Sequence, residues 1–323
     1  MNVLNLVRRA IAVVAIGIFV GGCGESEVQG IDVGVQGSRL ADHSGRSWIK
    51  PGSSAGDLLY ASGYSQSTGY ATFILTYPQG QLVGSIAATG VGMCTDTSGN
   101  VFMTSQNAVT EYAHGGTTPI ATVRIPGAET ENCAVDPTTG DLAVTFDCPP
   151  CDYENLAIFP PGSKTSTRYS APDAYECTYD NQGNLFLGGY SGSQLAELPS
   201  GSNTFTTITL NEDIASAGRL QWDGTYVTLQ DLASPGGIYR ISIAGSSGTI
   251  VGETKFGRYM RRVGYSWISG STVAVPFSVH GSQTNQLGIW KYPRGGRAMK
   301  VLKKFGTGDS GFGVVTVSVA PTH

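Results

Sequence analysis

One phrase recurs along the chain: Asp96-Thr-Ser-Gly-Asn100, Asp136-Pro-Thr-Thr-Gly-Asp141 and Asp180-Asn-Gln-Gly-Asn184, each running into an apolar stretch such as Val101-Phe-Met103 or Leu185-Phe-Leu187. A unit repeated at roughly 40 residues exposes a hydrophobic face that only its neighbours can cover, which means a propeller or a solenoid. A second phrase answers the first, an aromatic or apolar strand end entering a Gly turn: Tyr77-Pro-Gln-Gly80, Tyr112-Ala-His-Gly115, Phe159-Pro-Pro-Gly162, Leu198-Pro-Ser-Gly201 and Tyr292-Pro-Arg-Gly295. With 45 Gly and 15 Pro, many Thr, Ser and Tyr, and almost no Ala/Leu/Glu/Lys run, each unit must be built of short strands and turns.

The repeats divide into six blades of four antiparallel strands, A to D, with A lining a central channel. In the second blade Met93 to Asp96 is A, Asn100 to Thr104 is B, Ala108 to Tyr112 is C and Pro119 to Ile125 is D. Later blades begin near Thr130, Tyr175, Arg219 and Val263, with Trp222-Asp-Gly-Thr225 as a shortened turn. Residues 57 to 87 supply B, C and D without an A, whereas Gly311 to Ala320 supplies an A with nothing after it. Joined, they close the ring and remove free sheet edges. The expected fold is therefore an all-β six-bladed propeller over residues 55–323. The pattern Gly-x-x-x-Asp-x-x-Gly-Asn before an apolar strand, Gly92 to Phe102, resembles the NHL-repeat propellers, and the whole chain resembles a group of bacterial envelope lipoproteins of unassigned role. That resemblance implies fold and location and names no activity.

The first residues carry an address. Arg8 and Arg9 precede an apolar run from Ala10 to Val20 that ends in Val20-Gly-Gly-Cys23. The run is too short to cross a bilayer and has signal-peptide grammar. Small residues before a Cys resemble a lipobox, so residues 1–22 read as a lipoprotein signal peptide and Cys23 as the lipidated first mature residue; ordinary cleavage near Gly22 is the competing reading. Residues 23–54, rich in Gly, Ser and charge, suit a flexible tether, with Trp48-Ile49 packing on the domain rim. The protein is thus expected to be exported, membrane-associated through a lipid only, and exposed to an oxidising compartment.

Cys94, Cys133, Cys148, Cys151 and Cys177 remain. Cys133 and Cys177 both lie three residues before their turn Asp and Cys94 lies two before, so strand alternation puts Cys94 on the opposite blade face. Stacked blades present opposite faces to one another, which pairs Cys94 with Cys133 and keeps Cys133 from Cys177; buried free thiols are the alternative. Cys148-Pro-Pro-Cys151 reads as a disulfide stapling the B–C loop of the third blade, with a metal half-site or a redox pair as alternatives. An odd number leaves at least one thiol over.

Without residues 1–22 the chain carries 18 basic and 24 acidic side chains, which disfavours generic nucleic-acid binding. The charge is segregated: Gly127 to Asp180 holds ten carboxylates against Lys164 and Arg168, while Lys255 to Lys304 holds ten basic residues and no acid. Arg258, Arg261 and Arg262 occupy the connection into the sixth inner strand, on the face shared by D–A and B–C loops, and are expected opposite Glu131 and Glu176. Glu131, Asn132, Glu176 and Arg219 fall at the starts of inner strands and, with these arginines, form the candidate ligand-binding channel mouth. Oxygen ligands from several inner strands can hold Ca²⁺. This resembles six-bladed gluconolactonase-like hydrolases, and the resemblance implies Asn132 and Glu176 as ligands for a metal that activates water against a lactone or ester. The fifth blade offers Arg219, the sixth Tyr265 and the closing strand only Val314 or Val315, a departure from that family's ligand set. His43, His114, His280 and His323 have no metal-ligand spacing and no nucleophile motif beside them. No catalytic residue and no cofactor is assigned. The primary expectation is a non-catalytic scaffold that binds a protein or small molecule at its loop-rich face.

Overall fold

The computed structural model describes residues 46–65, 69–148, 151, 153–189, 191–257, 260–279, 286–303 and 311–321. Cys23 with its signal peptide, Arg258, Tyr190, His43, His280 and His323 lie outside the described residues. Apart from one 3-10 turn at Ser53–Ala55, every regular element among the described residues is a strand.

The strands form successive antiparallel meanders. The first sheet contains β1 (Trp48–Ile49), β2 (Leu58–Ser65), β3 (Gly69–Thr76) and β4 (Leu82–Ile86). The second contains β5 (Met93–Thr95), β6 (Val101–Ser105), β7 (Ala108–Tyr112) and β8 (Pro119–Arg124), and the third β9 (Glu129–Val135), β10 (Leu142–Asp147), β11 (Leu156–Phe159) and β12 (Thr167–Tyr169). The fourth meander is β13 (Glu176–Tyr179), β14 (Leu185–Gly188), β15 (Gln194–Leu198) and β16 (Thr206–Leu210), followed by β17 (Ala217–Trp222), β18 (Val227–Asp231), β19 (Gly237–Ala244) and β20 (Ser247–Lys255). Then come β21 (Arg262–Val263), β22 (Trp267–Ser269), β23 (Thr272–Ser278), β24 (Gln286–Lys291) and β25 (Lys300–Lys303). Finally β26 (Gly311–Ser318) pairs with β2 from Leu58↔Ser318 to Tyr64↔Gly311, the closure expected from the two odd ends.

The recurring Asp builds the turn after each inner strand. One oxygen of Asp96 accepts the amides of Ser98 and Asn100 at 2.9 and 2.8 Å, and the other accepts Asn100 Nδ2 at 2.8 Å. Asp180 repeats this with Gln182 and Asn184. An Asp side chain that bonds its own backbone two residues on fixes such a turn. The following Gly99 and Gly183 both sit at φ 82°, a left-handed conformation that costs Gly nothing.

Strand alternation distributes the core. Val101 and Met103 face the first sheet, beside Leu58, Tyr60 and Ile74, whereas Phe102 faces the third, beside Val144 and Phe146. Leu185 and Leu187 pack on Ala134 and Ala143, and Phe186 turns to Ile208 and Leu229. Each B strand is therefore apolar on both sides, as a blade sandwiched between neighbours requires. The inner strands β26, β5, β9, β13 and β17 follow one another round an axis, and β22 adjoins β26 again. Gln221 on β17 completes the circuit by bonding Ile268 on β22 through both amide atoms, at 2.7 and 2.8 Å.

Three details depart from six separate, regular blades. The outer strands β16 and β20 pair in parallel, Thr209↔Ser247 and Leu210↔Gly248, so two of the expected units form one eight-stranded sheet. The long β19–β20 hairpin turns at Gly245, φ 58°, and brings β20 to that edge. The inner strand expected from Val263 is split into β21 and β22, because Tyr265 leaves its own sheet to bridge Val314 of β26, with Gly264 against Gly313. Trp48 and Ile49, assigned to a tether, add to β4 as an outermost strand.

Candidate functional site

The position four residues before each turn Asp is occupied in successive inner strands by Gly92, Asn132, Glu176 and Arg219. This column forms one buried layer across the axis. Arg219 is 3% exposed, Glu176 3% and Asn132 1%. Arg219 Nη1 donates to Asn132 Oδ1 at 2.6 Å and lies 3.6 Å from Glu176 Oε2, while its Nη2 donates to the carbonyl of Met93 at 2.6 Å. Asn132 Nδ2 donates to Glu176, and Cys133 N donates to Asn132 Oδ1 at 2.8 Å. The guanidinium carbon also stands 5.0 Å from the ring centroid of Trp267 on β22. The column's fourth member is Gly because a Cβ there would meet the Glu131 carbonyl at 2.3 Å. One arginine thus ties together four inner strands and stacks on a fifth.

Burial pushes the Glu176 carboxyl up to about 7, although the Arg219 charge and the bonds from the Leu220 amide and Asn132 pull it back. Desolvation of a carboxylate at this depth outweighs one cationic partner. Arg219 Nε and Trp222 Nε1 are buried donors without a partner. Toward the loop-rich end lies a second, half-buried layer in which Tyr265 donates to Tyr175 and Tyr175 donates to Glu131. Burial first, then neighbouring Asp147 and Glu129, push the Glu131 carboxyl above its ordinary value. Burial likewise pushes the Tyr175 and Tyr265 hydroxyls up.

Asn132, Glu176 and Arg219 are therefore brought together, in a buried layer around a guanidinium. The Oδ1 of Asn132 and the carboxylate of Glu176 already accept bonds from Arg219, Cys133 and Asn132, and Arg219 places a fixed positive charge between them. That donor set does not fit a divalent cation. Of the arginines expected opposite Glu131 and Glu176, Arg261 and Arg262 are exposed and β21 pairs with the end of β23 through Arg262↔Ser278, while the guanidinium that meets Glu176 is that of Arg219, buried beside it.

The cysteines follow the alternation argument. Cys94 and Cys133 are bonded across the boundary between the second and third sheets, with Cα atoms 5.6 Å apart, and Cys148 is bonded to Cys151. Cys177 is a buried free thiol, pushed well above its ordinary value by burial. Two disulfides suit a protein that matures in an oxidising compartment. Among the described residues no helix is long and apolar enough to cross a membrane.

Two features escape a reading of the sequence. Below the Arg219 layer, at the turn end of the axis, opens a cavity of about 230 Å³ walled by Tyr179, Trp222 and Trp267. A larger groove of about 820 Å³ lies between the second and third sheets, beside β8. Both are at the turn side, not the loop-rich side. The signal for the deep layer was the shared offset from each turn Asp; no local signal marks either opening, since both are bounded by residues distant in sequence.

Closed meanders about an axis plugged by side chains from successive inner strands define the β-propeller class. No protein-family model and no curated protein matches the chain. Among solved structures it is similar to a protein of unknown function from Bacteroides caccae, with a TM-score of 0.60 and 11% identity, covering 82% of this chain and 99% of that one. It is also similar to the β-propeller domain of Myceliophteria thermophila Cps50 (Swd1), with a TM-score of 0.54 and 11% identity, covering 84% and 88%. At this identity the likenesses speak to the fold alone.

Proposed function

We propose that the protein is an NHL-like, six-bladed propeller lipoprotein of the bacterial envelope that works as a non-catalytic scaffold, binding a protein or small ligand at its loop-rich channel face. The observation that carries this reading is the buried network of Arg219, Asn132 and Glu176: the strongest polar groups on the axis bond one another and leave a rigid frame. On such a frame, recognition falls to the loops it displays. Glu131 and the exposed Arg261 and Arg262 supply charge of both signs to that face. Residues 1–22 are the export signal, Cys23 carries the lipid, and residues 55–323 form the propeller.

The reading is tested by cross-linking in envelope extract with the wild type and a Glu131→Ala/Arg261→Ala/Arg262→Ala variant. A partner recovered by the wild type and lost by the variant supports it, whereas equal recovery removes the loop face as the binding surface. Stoichiometric Ca²⁺ in the wild type that is lost on Glu176→Ala would instead favour the lactone or ester hydrolase and call for a screen of lactones and esters. The anchor is tested separately: a Cys23→Ser variant should move from the membrane fraction to the soluble one.

A further inference from the structure

An exposed strand edge is a template for another strand, and folded proteins keep such edges short or cover them. This molecule covers most of its own. The edge of β4 is taken by β1, and β16 and β20 cover each other. The third sheet ends in β12 with three residues and the last meander in β25 with four. The exception is β8, six residues long, which pairs only with β7 among the described residues. Its residues from Pro119 to Ala121 are exposed, Ile120 at 56%. The strand does not face open solvent on all sides. It forms one wall of the groove of about 820 Å³, whose other wall is the turn from Phe159 to Lys164.

The charge around that groove is predominantly negative. Asp96, Glu111 and Asp136 line it against Lys164 alone. The neighbouring third meander lies within the segment of ten carboxylates and two basic residues. Burial, and next the Asp96 charge, push the Glu111 carboxyl up. We propose that β8 is a docking edge for an extended, basic segment of a partner protein, which adds as a further strand and directs alternate Lys or Arg side chains into the groove. Main-chain bonds to the edge provide affinity, and the groove selects side chains on one face of the added strand. This surface is on the turn side and does not depend on the loop-face reading.

The test uses end-blocked nonapeptides alternating Lys with Val, and Glu with Val, in low salt, with amide exchange of the full protein as the readout. The Lys peptide should bind, slow the exchange of β8 amides and weaken at least tenfold when salt is raised to physiological strength. Lys164→Glu, an exposed turn substitution, should tighten it several-fold, and Glu111→Lys should weaken it. Failure of the Lys peptide to bind, equal binding of the Glu peptide, or binding that leaves β8 exchange unchanged would each overturn the proposal. If β8 is protected without peptide and the protein dimerises with concentration, the occupant is a second copy and the basic partner is wrong. Loss of the loop-face partner in the triple variant leaves this result untouched.

Discussion

The second to fourth meanders and the two that follow solve the same packing problem with different chemistry. In the second and third meanders the fourth residue of the B strand joins neighbours with a hydroxyl, Thr104 donating to the Glu131 carbonyl at 2.9 Å and Thr145 to the Tyr175 carbonyl at 2.7 Å, while the fourth meander has Gly188 there. In β18 the same column holds Gln230, whose Nε2 donates to the Gly264 carbonyl at 2.9 Å and whose Oε1 accepts Ser266 N at 2.9 Å. The turns differ similarly. Asp96 and Asp180 spend their second oxygen on a local Asn, whereas Asp223 spends it on the Tyr292 hydroxyl at 2.6 Å and on Arg240 at 3.2 Å. Regular inner strands lie close enough for short hydroxyls; where the last meander's inner strand breaks at Tyr265, longer side chains span the gap. The lesson is that repeat periodicity survives in the backbone after it has left the side chains.

Arg219 sits where these halves meet, so its loss should have the largest effect. Arg219→Met leaves the Met93 carbonyl and Asn132 short of partners and Glu176 without its cation. Breaking a buried pair from one side costs about 3–5 kcal/mol, and urea unfolding should show that loss. A cost below about 1 kcal/mol would mean that the halves are held by apolar packing alone.

Glu176 gives the next effect, and it depends on pH. Its folded value near 7 exceeds the unfolded 4.5, so the folded state holds the proton more tightly between them. The resulting stability is complete below about pH 4.5 and is lost as pH rises through about 7, on the order of 3 kcal/mol in all. Melting temperature should fall across that window in the wild type and fall markedly less in Glu176→Gln, where the smaller upward shifts of Glu131 and Glu111 remain. A level wild-type profile would show that Arg219 compensates the carboxylate fully.

The regular half also contains an unused disulfide position. Ala134 stands two residues before Asp136, as Cys94 stands two before Asp96, and Cys177 stands three before Asp180, as Cys133 stands three before Asp136. Ala134 and Cys177 share one buried cluster. Ala134→Cys should bond to Cys177 without reagent, eliminate the free thiol and stabilise by about 2–4 kcal/mol. Persistence of two thiols in the oxidised variant would break the equivalence of the two boundaries.

Legibility in the sequence divided along the same line. The strands of the second meander, the closure by β26 and the Cys94–Cys133 pairing were readable because each follows from a local period: the Asp turn, the two-residue alternation, the offset from a repeated landmark. Arg219 was recognisable as a polar residue at an inner-strand start, but not as the axial plug, since its partners lie 87 and 126 residues away in sequence. Gln221 and Gln230 carry no motif, and their role exists only because β21 and β22 are separated. The β16–β20 pairing depends on how far one hairpin reaches, which composition does not encode.

Substitution at the column and at the turns sets the two halves directly against each other. Gln230→Ala leaves the Ser266 amide and the Gly264 carbonyl buried and unmet, a loss of about 1–3 kcal/mol. Asp223→Ala should cost about 2 kcal/mol, because it frees Tyr292 and Arg240 as well as its own turn. Asp96→Ala removes bonds only within an exposed turn and should cost about 1 kcal/mol. The ordering follows from reach: a turn that satisfies itself can open locally, whereas one that anchors a neighbouring meander loses two structures at once. Equal denaturation midpoints for the two Asp variants would mean that Tyr292 and Arg240 gain nothing net from Asp223, and that the later meanders rely on their apolar clusters as the earlier ones do.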